Sequence, residues 1–441
     1  FMYKAIHIIY KNSFAAFISG LLFCFCNYRL FDVYNRGSLA EALAFTFFPL
    51  ILLGLYYIIK GDYKRNWYVI AIGYTLLIYT HILSSVIVYI LTVLFLLIYY
   101  KPLKEEPKRL IYLCLAGGVT IVMTAYYIFP MVEQMMSNTF YYTTHVWANP
   151  ALYSPSIYWL LLGMTEGLTQ PEQFFFPKIG LLLTAGICLR LFVRGKSKEL
   201  KSIDIFVIVG IALLLFSSKI VPWEKLQHTW LSTIQFPWRL YAPVSFLFAS
   251  GGGYYLTQAM ANRRRAAIAS LSVIAFIVLI IAGGSQNYKR TSNPHRQALD
   301  IPNATNNYIG GGLEYLPSRI ESTGYIEKRG DEVITNHNTT HISNFCRNKN
   351  ITFFDINIVN ADHIELPLVY YKGYEAIQNG NKLPVVQSSK GLIEITVSQS
   401  GRVEVYYTGT TLLRISFWIS VIGILALCIF VFVNRKKEAV V

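Results

Sequence analysis

The sequence predicts an α-helical polytopic membrane protein with a β-sandwich-like domain outside the membrane, placed before the last helix. The first observation is composition, since 54% of the 441 residues are hydrophobic, only 14% are charged and the mean hydropathy is +0.42. A soluble chain of this length is usually less apolar. The second observation is an alternation of long apolar runs with short loops that are by turns rich and poor in Lys and Arg.

The apolar runs predict about ten transmembrane helices, because a hydrocarbon core about 30 Å thick takes roughly 20 apolar residues per helix. These runs cover residues 13–27, 41–59, 67–80, 82–100, 110–129, 174–193, 204–218, 240–259, 266–283 and 411–433. The stretch 67–100 is too long for one span and has basic flanks on both sides, so it predicts a hairpin with His81 near its outer tip.

The basic loops predict the orientation of the chain. With ten spans, clusters such as Lys60/Lys64/Arg65 and Arg435/Lys436/Lys437 all fall on one side, which the positive-inside rule makes cytoplasmic. Both termini are then cytoplasmic, in a cell membrane. The net charge of +15 is explained by this orientation, so we expect the lipid bilayer as partner and no nucleic acid.

The spans divide the chain into three parts. Residues 1–283 form a multi-span domain with outer loops 28–40 and 130–173, residues 284–410 form an extracytoplasmic β-rich domain, and residues 411–441 form the last helix with a basic tail. Strand-like alternation and turn signals such as Asn379-Gly380 support the β-rich domain. The expected strands are 366–371, 374–378, 383–386, 392–397 and 403–407.

Two further features concern the whole chain. Five of the six cysteines lie in apolar segments, and only Cys346 lies in a polar region, so no disulfide framework or zinc site is predicted. The chain opens on Phe1 without a signal peptide, and its first span begins only at Ser13. We therefore expect that an upstream portion precedes it.

The segment between the first two spans is the densest candidate site. It places Asp32, Tyr34, Arg36 and Glu41 at the outer interface. A carboxylate there could polarise a hydroxyl while Arg36 holds a phosphate, since guanidinium geometry matches phosphate oxygens. The alternative is interfacial anchoring, in which Tyr and Arg reach the lipid head groups and Glu41 caps a helix.

Two other positions are candidates on similar grounds. His81 is an ionisable residue inside the apolar pattern, which predicts a functional contact, although a hydrogen bond to Ser84 or to a helix end explains it equally well. The run Gln235-Phe236-Pro237-Trp238-Arg239 stands at the outer start of a span. Arg239 there could clamp a lipid phosphate, while Pro at a helix start and Trp at an interface also have structural explanations.

These segments carry a family resemblance. The run from Tyr28 to Glu41 with Ala42-Leu-Ala-Phe45 and Pro49, the segment Thr80-His81-x-Leu-Ser84, the run Gln235–Arg239 and the stretch Leu366-Pro367 to Gly373-Tyr374 resemble bacterial envelope proteins labelled 6-pyruvoyl-tetrahydropterin-synthase-related. Those are similar to YfhO-like and other GT-C glycosyltransferases. Pterin chemistry is not implied, because it needs a set of zinc-binding histidines and the sequence predicts no zinc site.

The resemblance implies an inverting sugar transfer from a polyprenyl-phosphate-linked donor to an envelope glycan acceptor on the outer face. It implies acidic or cavity-lining roles for Asp32, Glu41 and His81. The resemblance further implies that the substrate is contacted by Tyr34, Arg36, Gln235, Trp238 and Arg239. The resemblance does not identify a cofactor. It allows a divalent metal ion, although the sequence has no motif of metal-binding residues. A flippase or transporter of a lipid-linked glycan or other lipid, and a membrane-anchored envelope-interaction protein, are the alternative functions.

Overall fold

The computed structural model describes residues 1–144, 149–165, 177–226, 229–260, 263–291, 315–320 and 323–439. Parts of the expected loop 130–173 and of the expected domain 284–410 lie outside these residues. The helices are α1 Met2–Tyr10, α2 Ser13–Cys24, α3 Asn27–Tyr34, α4 Leu39–Ala44, α5 Phe48–Ile59, α6 Tyr63–Asn66, α7 Tyr68–Thr80, α8 Ile82–Ile98, α9 Tyr100–Glu105, α10 Lys108–Met123, α11 Ala125–Ser137, α12 Tyr141–Thr144, α13 Ile157–Thr165, α14 Leu181–Cys188, α15 Lys198–Phe216, α16 Trp223–Leu226, α17 Tyr241–Ala259, α18 Arg263–Thr291, α19 Thr323–Arg329 and α20 Thr411–Ala439.

The chain divides into two compact units. The helical unit comprises Phe1–Thr124, Ala148–Ala298 and Ala426–Val441, and the β unit comprises Ala125–Trp147 and Leu299–Leu425. The strands are β1 Ile334–Thr335, β2 His341–Asn348, β3 Ile351–Asn357, β4 Asp362–Val369, β5 Tyr374–Gln378, β6 Asn381–Leu383, β7 Val385–Gln387, β8 Leu392–Val397 and β9 Gly401–Tyr407.

Helix α17 forms the centre of the helical unit. Almost all of its residues are buried, and it packs against α2, α14 and α15. Close approach depends on its glycines, since a Cβ on Gly253 would stand 2.1 Å from Ser19 Oγ and 2.8 Å from the Ala15 carbonyl oxygen. Small residues at such crossings let two helix backbones approach, as in membrane helix pairs.

The number of spans differs from the prediction. Among the described residues, four segments are long and apolar enough to cross a membrane, or up to five if the broken pair α10 and α11 counts as one. The four are Ser13–Tyr34, Leu39–Ile59, Arg265–Gly283 and Thr411–Asn434. The count of about ten is not supported, for a physical reason: α7 and α14 are short, α15 begins with charged residues, and α17 is rich in Gly, Tyr and Ser.

The β unit contains two antiparallel sheets, as the alternating sequence predicts. Their strand orders are β1-β4-β8-β7 and β2-β3-β9-β5-β6, and apolar residues of both sheets share one buried core. The Asn379-Gly380 turn joins β5 to β6 with both residues at positive φ, so Gln378 pairs with Asn381 across a two-residue loop. Asn-Gly is the preferred sequence for such a turn.

Two segments expected as loops contain helices. Within the expected loop 28–40, α3 continues to Tyr34 and α4 begins at Leu39. The expected loop 130–173 includes most of α11, and this helix belongs to the β unit: Gln134 Nε2 donates to the Lys372 carbonyl oxygen at 2.6 Å, and Glu133 pairs with Lys372 at 3.1 Å. The β unit therefore begins earlier in the chain than residue 284.

Candidate functional site

A tight chain reversal brings the acidic residues of α3 and α4 together. Gly37 adopts a positive φ of 66°, and the Ser38 amide donates to the Asp32 carbonyl oxygen at 2.8 Å, which turns the chain back on α3. Glycine adopts this conformation without steric cost. Asp32 on α3 and Glu41 on α4 consequently lie on either side of Arg36.

Arg36, Asp32, Glu41, Arg239 and Tyr28 form what we call the charge cluster. Arg36 Nη1 lies 2.9 Å from Asp32 Oδ1 and 2.7 Å from Glu41 Oε2. Arg239 Nε lies 3.5 Å from the same Glu41 oxygen, and the Tyr28 hydroxyl donates to Glu41 Oε1 at 2.6 Å. Glu41 is therefore the central acceptor of the cluster.

The carboxylates of the charge cluster are buried. Asp32 is 0% exposed and Glu41 is 1% exposed, while the side chain of Arg36 is 18% exposed. Removing a charge from water is costly unless it is paired and hydrogen-bonded, and here two carboxylates face two guanidinium groups. These ion pairs offset the cost of removing the carboxylates from water. Arg36, the more exposed partner, lies between the two carboxylates and the solvent-facing side of the cluster.

Aromatic rings cover the guanidinium groups. The Phe236 and Trp238 rings stack with their centroids 4.7 Å apart, and the Arg36 guanidinium carbon lies 4.6 Å from the Trp238 ring centroid. The guanidinium of Arg239 lies 5.0 Å from the Phe236 ring centroid. Cations over aromatic faces are stabilised by about 0.5–2 kcal/mol each, so the run 235–239 fixes both arginines.

Gln235 holds its place through a strained backbone. Its φ of +61° is uncommon for a residue with a Cβ, and its Oε1 accepts from Arg239 Nη1 at 2.6 Å. Such conformations persist only where the surroundings determine them, and they concentrate at functional sites. The contact orients the Arg239 guanidinium toward Glu41.

Burial and charge act in opposite directions on the two arginines. Burial would lower the pKa of Arg36, but Glu41 and Asp32 outweigh it and raise this pKa above its ordinary value. For Arg239, burial dominates and lowers the pKa, with Glu41 opposing it. Because arginine titrates far above neutral pH, both side chains are cations at pH 7.

Three buried polar atoms of this region have no hydrogen-bond partner among the described residues: Asp32 Oδ2, Trp238 Nε1 and Arg239 Nε. Buried polar atoms are nearly always satisfied, and exceptions call for an explanation such as a catalytic role or an unseen ligand. Among the described residues, Asp32 Oδ2 can therefore accept a proton from a ligand group, while the N–H groups of Trp238 and Arg239 can donate hydrogen bonds to a ligand.

His81 lies at the junction of α7 and α8. Its Nδ1 accepts from the Ser84 amide at 3.3 Å and lies 2.8 Å from Ser84 Oγ, so His81 is the N-cap of α8. An Nδ1 that accepts a backbone N–H is unprotonated, which leaves the proton of the neutral ring on Nε2. The structural interpretation of His81 is thus supported, and its Nε2 is left for another contact.

The structure brings most of the predicted site residues together. Asp32, Arg36, Glu41 and Arg239 are in direct contact, and Gln235 and Trp238 touch the arginines. Tyr34 does not join them, since it is 63% exposed. Tyr28 and Phe236 were not predicted as site residues, although they contact Glu41 and Arg239. The available signal was their spacing, since they lie four residues from Asp32 and three residues from Arg239, on one side of a helical turn.

The carboxylates of the charge cluster do not resemble a metal site. Among the residues that the structure describes, no group of three or more His, Cys, Asp or Glu could hold a metal ion. Divalent cations such as Mg²⁺ and Ca²⁺ require several oxygen ligands, whereas Asp32 Oδ1 and both Glu41 oxygens are already engaged by Arg36, Arg239 and Tyr28.

The chain matches no family model, and no curated protein or solved structure matches it.

Proposed function

We propose that this chain is an integral membrane glycosyltransferase of the GT-C type, which transfers a sugar from a polyprenyl-phosphate-linked donor to an extracytoplasmic envelope acceptor. The observation that carries the proposal is Asp32 Oδ2, a buried carboxylate oxygen that has no donor among the described residues and belongs to the same cluster as Arg36 and Arg239. A base beside fixed cations suits a reaction in which a hydroxyl loses its proton while a phosphate ester departs.

The reaction follows from these positions. Asp32 accepts the proton of the acceptor hydroxyl, the acceptor oxygen forms a bond to the anomeric carbon, and the bond from that carbon to the phosphate oxygen breaks. The bonding electrons leave with polyprenyl phosphate, whose charge Arg36 and Arg239 stabilise. Since Arg36 covers Asp32 in this conformation, its guanidinium moves from the carboxylate to the phosphate when the donor binds.

The arrangement of helices supports a site at the outer membrane interface. Glu41 precedes α5 and His81 caps the start of α8, whereas Lys60 and Tyr99 follow the ends of these helices. The 17 residues of α8 span about 25 Å, close to a hydrocarbon thickness of about 30 Å. In the proposal the lysine-rich end is cytoplasmic, the charge cluster faces outward, and shorter apolar helices complete the crossings within the bundle.

Transfer can be tested with the purified full chain in proteoliposomes that contain a polyprenyl-phosphate sugar and envelope acceptors. We expect Asp32→Asn and Arg36→Ala each to reduce donor consumption by about 100-fold or more, as for removal of a general base or of a charge-stabilising group. The matched control is the exposed pair Asp62 and Arg65, 3.6 Å apart, in which Asp62→Asn and Arg65→Ala should leave consumption unchanged.

Unchanged donor consumption in a correctly inserted Asp32→Asn variant would contradict the proposal. Cells without the gene give an independent measurement, in which loss of one sugar decoration with accumulation of the donor lipid supports a transferase. Donor lipid stranded on the inner leaflet would instead support a flippase. Unchanged envelope glycans and donor lipid would favour an envelope-interaction protein.

Orientation is tested separately by labelling single cysteines in a cysteine-free background. Asn35 and Lys64 are both exposed, and they lie beside the charge cluster and in a basic loop, respectively. We expect a membrane-impermeant maleimide added to intact cells to label Asn35→Cys and to leave Lys64→Cys unlabelled until the cells are opened. The reverse pattern would place the charge cluster in the cytoplasm and exclude an outward site.

A further inference from the structure

The helical unit contains a cavity that does not include the charge cluster. It has a volume of about 370 Å³, within the range of ligand pockets, and is formed by α1, α5, α8 and α15. We call it the basic groove. Its lining includes Leu52, Leu55, Lys60, Tyr99, Lys198 and Phe206.

One part of the basic groove is apolar. Leu52, Leu55 and Phe206 line it, and each is less than a tenth exposed. These side chains come from α5 and α15, so the apolar wall is built by packed helices. A hydrocarbon chain that covered this wall would remove further apolar surface from water.

The other part carries cations. Lys60 Nζ lies 4.9 Å from the Tyr99 ring centroid, and the Tyr99 hydroxyl is hydrogen-bonded to Ser202 Oγ at 2.7 Å. Lys198 begins α15 and is exposed, as is Lys60. Among the described residues, neither lysine has an ion-pair partner within 4.0 Å. Two ammonium groups therefore stand at the end of an apolar wall.

The lining also contains one acidic residue, Glu199, beside the two lysines. The pKa of Glu199 is lowered by hydrogen bonding at the N-terminus of α15 and by the charges of Lys60 and Lys198. An acid in the first turn is satisfied by the helix dipole and the free amides there. Two lysines beside one carboxylate give the lining a net positive charge, which an anion from outside the chain can neutralise.

We propose that the basic groove binds an anionic phospholipid, with the lipid phosphate between Lys60 and Lys198 and one acyl chain along Leu52, Leu55 and Phe206. The groove lies at the ends of α5 and α8 that are opposite to Glu41 and His81, so it is a site separate from the charge cluster. This binding does not depend on glycosyl transfer, so the two proposals can fail independently.

The test is native mass spectrometry of the full chain in detergent, titrated with phosphatidylglycerol or with phosphatidylcholine. We expect phosphatidylglycerol to bind preferentially, and Lys60→Gln and Lys198→Gln each to weaken it about fivefold, since one basic residue near a lipid surface contributes about that factor. Lys60→Arg should retain binding. The matched control, Lys64→Gln with Lys196→Gln, makes the same charge change at exposed lysines outside the groove lining and should change binding less than twofold.

The apolar wall is tested with Leu55→Trp, which fills the groove without changing its charge and should weaken binding of both lipids. If the Lys64→Gln/Lys196→Gln control weakened phosphatidylglycerol binding as much as the groove variants, the binding would depend on general surface charge, and the proposal would be overturned. Unchanged binding in the Lys60→Gln/Lys198→Gln double variant would also overturn it. Both groove lysines are exposed, so their substitution tests binding in a folded chain even if Leu55→Trp fails to fold.

Discussion

Arg239 Nε lies 3.5 Å from Glu41 Oε2, and this ion pair joins the segment before α17 to the start of α4. Both side chains are buried, with 8% and 1% of their surfaces exposed. A buried pair of this kind contributes little net stability, but removal of one partner leaves an uncompensated charge. The charge cluster is therefore sensitive to loss of any single charge.

Glu41→Gln should be the most destabilising single substitution in the charge cluster. It leaves Arg36 with Asp32 alone and deprives Arg239 of its carboxylate, so we expect a loss of about 3–5 kcal/mol in the free energy of unfolding. Thermal unfolding of the detergent-purified chain measures this. Asp62→Asn, which breaks an exposed pair with Arg65, should cost less than about 1 kcal/mol. Equal shifts in both variants would show that Glu41 is not a central acceptor.

The two roles of His81 can be separated by substitution. Asn is a good N-cap, so His81→Asn should keep α8 intact, whereas His81→Ala should cost about 1 kcal/mol of stability. If His81 Nε2 contacts substrate, both variants lose donor consumption, although only His81→Ala loses stability. Full activity in His81→Asn would assign His81 to capping alone.

The structure brings several of the predicted candidate residues together, whereas it does not support the predicted number of spans. Asp32 and Arg36 are four residues apart and share a helix face, so their contact follows from spacing, whereas Tyr34 lies two residues from each and points elsewhere. The contact between Glu41 and Arg239 depends on how α17 packs, which local pattern does not specify. The sequence pattern predicted that Arg239 and Arg36 share the outer face, and the resemblance then implied roles for Glu41 and Arg239 in one site.

The sequence predicted strands from β4 onward, whereas β1, β2 and β3 were not expected. β8 and β9 alternate clearly and were expected at nearly their observed bounds. β2 was missed, because most of its residues are exposed and its sequence shows no apolar alternation. The expected count of about ten spans is not supported, because several apolar segments form helices shorter than a full membrane span among the described residues.

Close packing of α17 on α2 predicts opposite effects for two glycine substitutions. Gly253→Ala would place a Cβ 2.1 Å from Ser19 Oγ and should lower stability by about 1–3 kcal/mol, as for an overpacked core. A Cβ on Gly20, also on α2, would meet nothing within 4 Å, so Gly20→Ala should be neutral or stabilising by up to about 1 kcal/mol. Thermal unfolding of both variants checks this. A stabilising Gly253→Ala would contradict the observed approach of the helices.

Asp362 predicts how the stability of the β unit depends on pH. Its side chain is fully buried, and it accepts hydrogen bonds from Thr340 Oγ1 at 2.6 Å and from the amides of Asn336 and His337. Burial alone would raise the pKa of Asp362, but these hydrogen bonds and the His337 ring lower it from 3.8 to about 2. The ionised carboxylate is thus bound more favourably in the folded unit than in the unfolded chain.

The sign of the effect follows from this lowered pKa. The carboxylate contributes roughly 2 kcal/mol of stability above about pH 4, and the contribution is lost as the pH falls toward the folded-state pKa of about 2. Asp362→Asn should therefore destabilise β4 and β8 at pH 6 and have much less effect near pH 2. Hydrogen exchange of these strands in the full chain, read by mass spectrometry, measures the difference.

The control for this measurement is Asp331→Asn, at an exposed carboxylate 3.2 Å from Arg347. Exchange in β4 and β8 should change little in that variant at either pH, because an exposed ion pair contributes less than about 1 kcal/mol. If Asp362→Asn destabilised the strands equally at pH 6 and near pH 2, the loss would come from altered packing. The hydrogen-bonded carboxylate would then not be the source of the pH dependence.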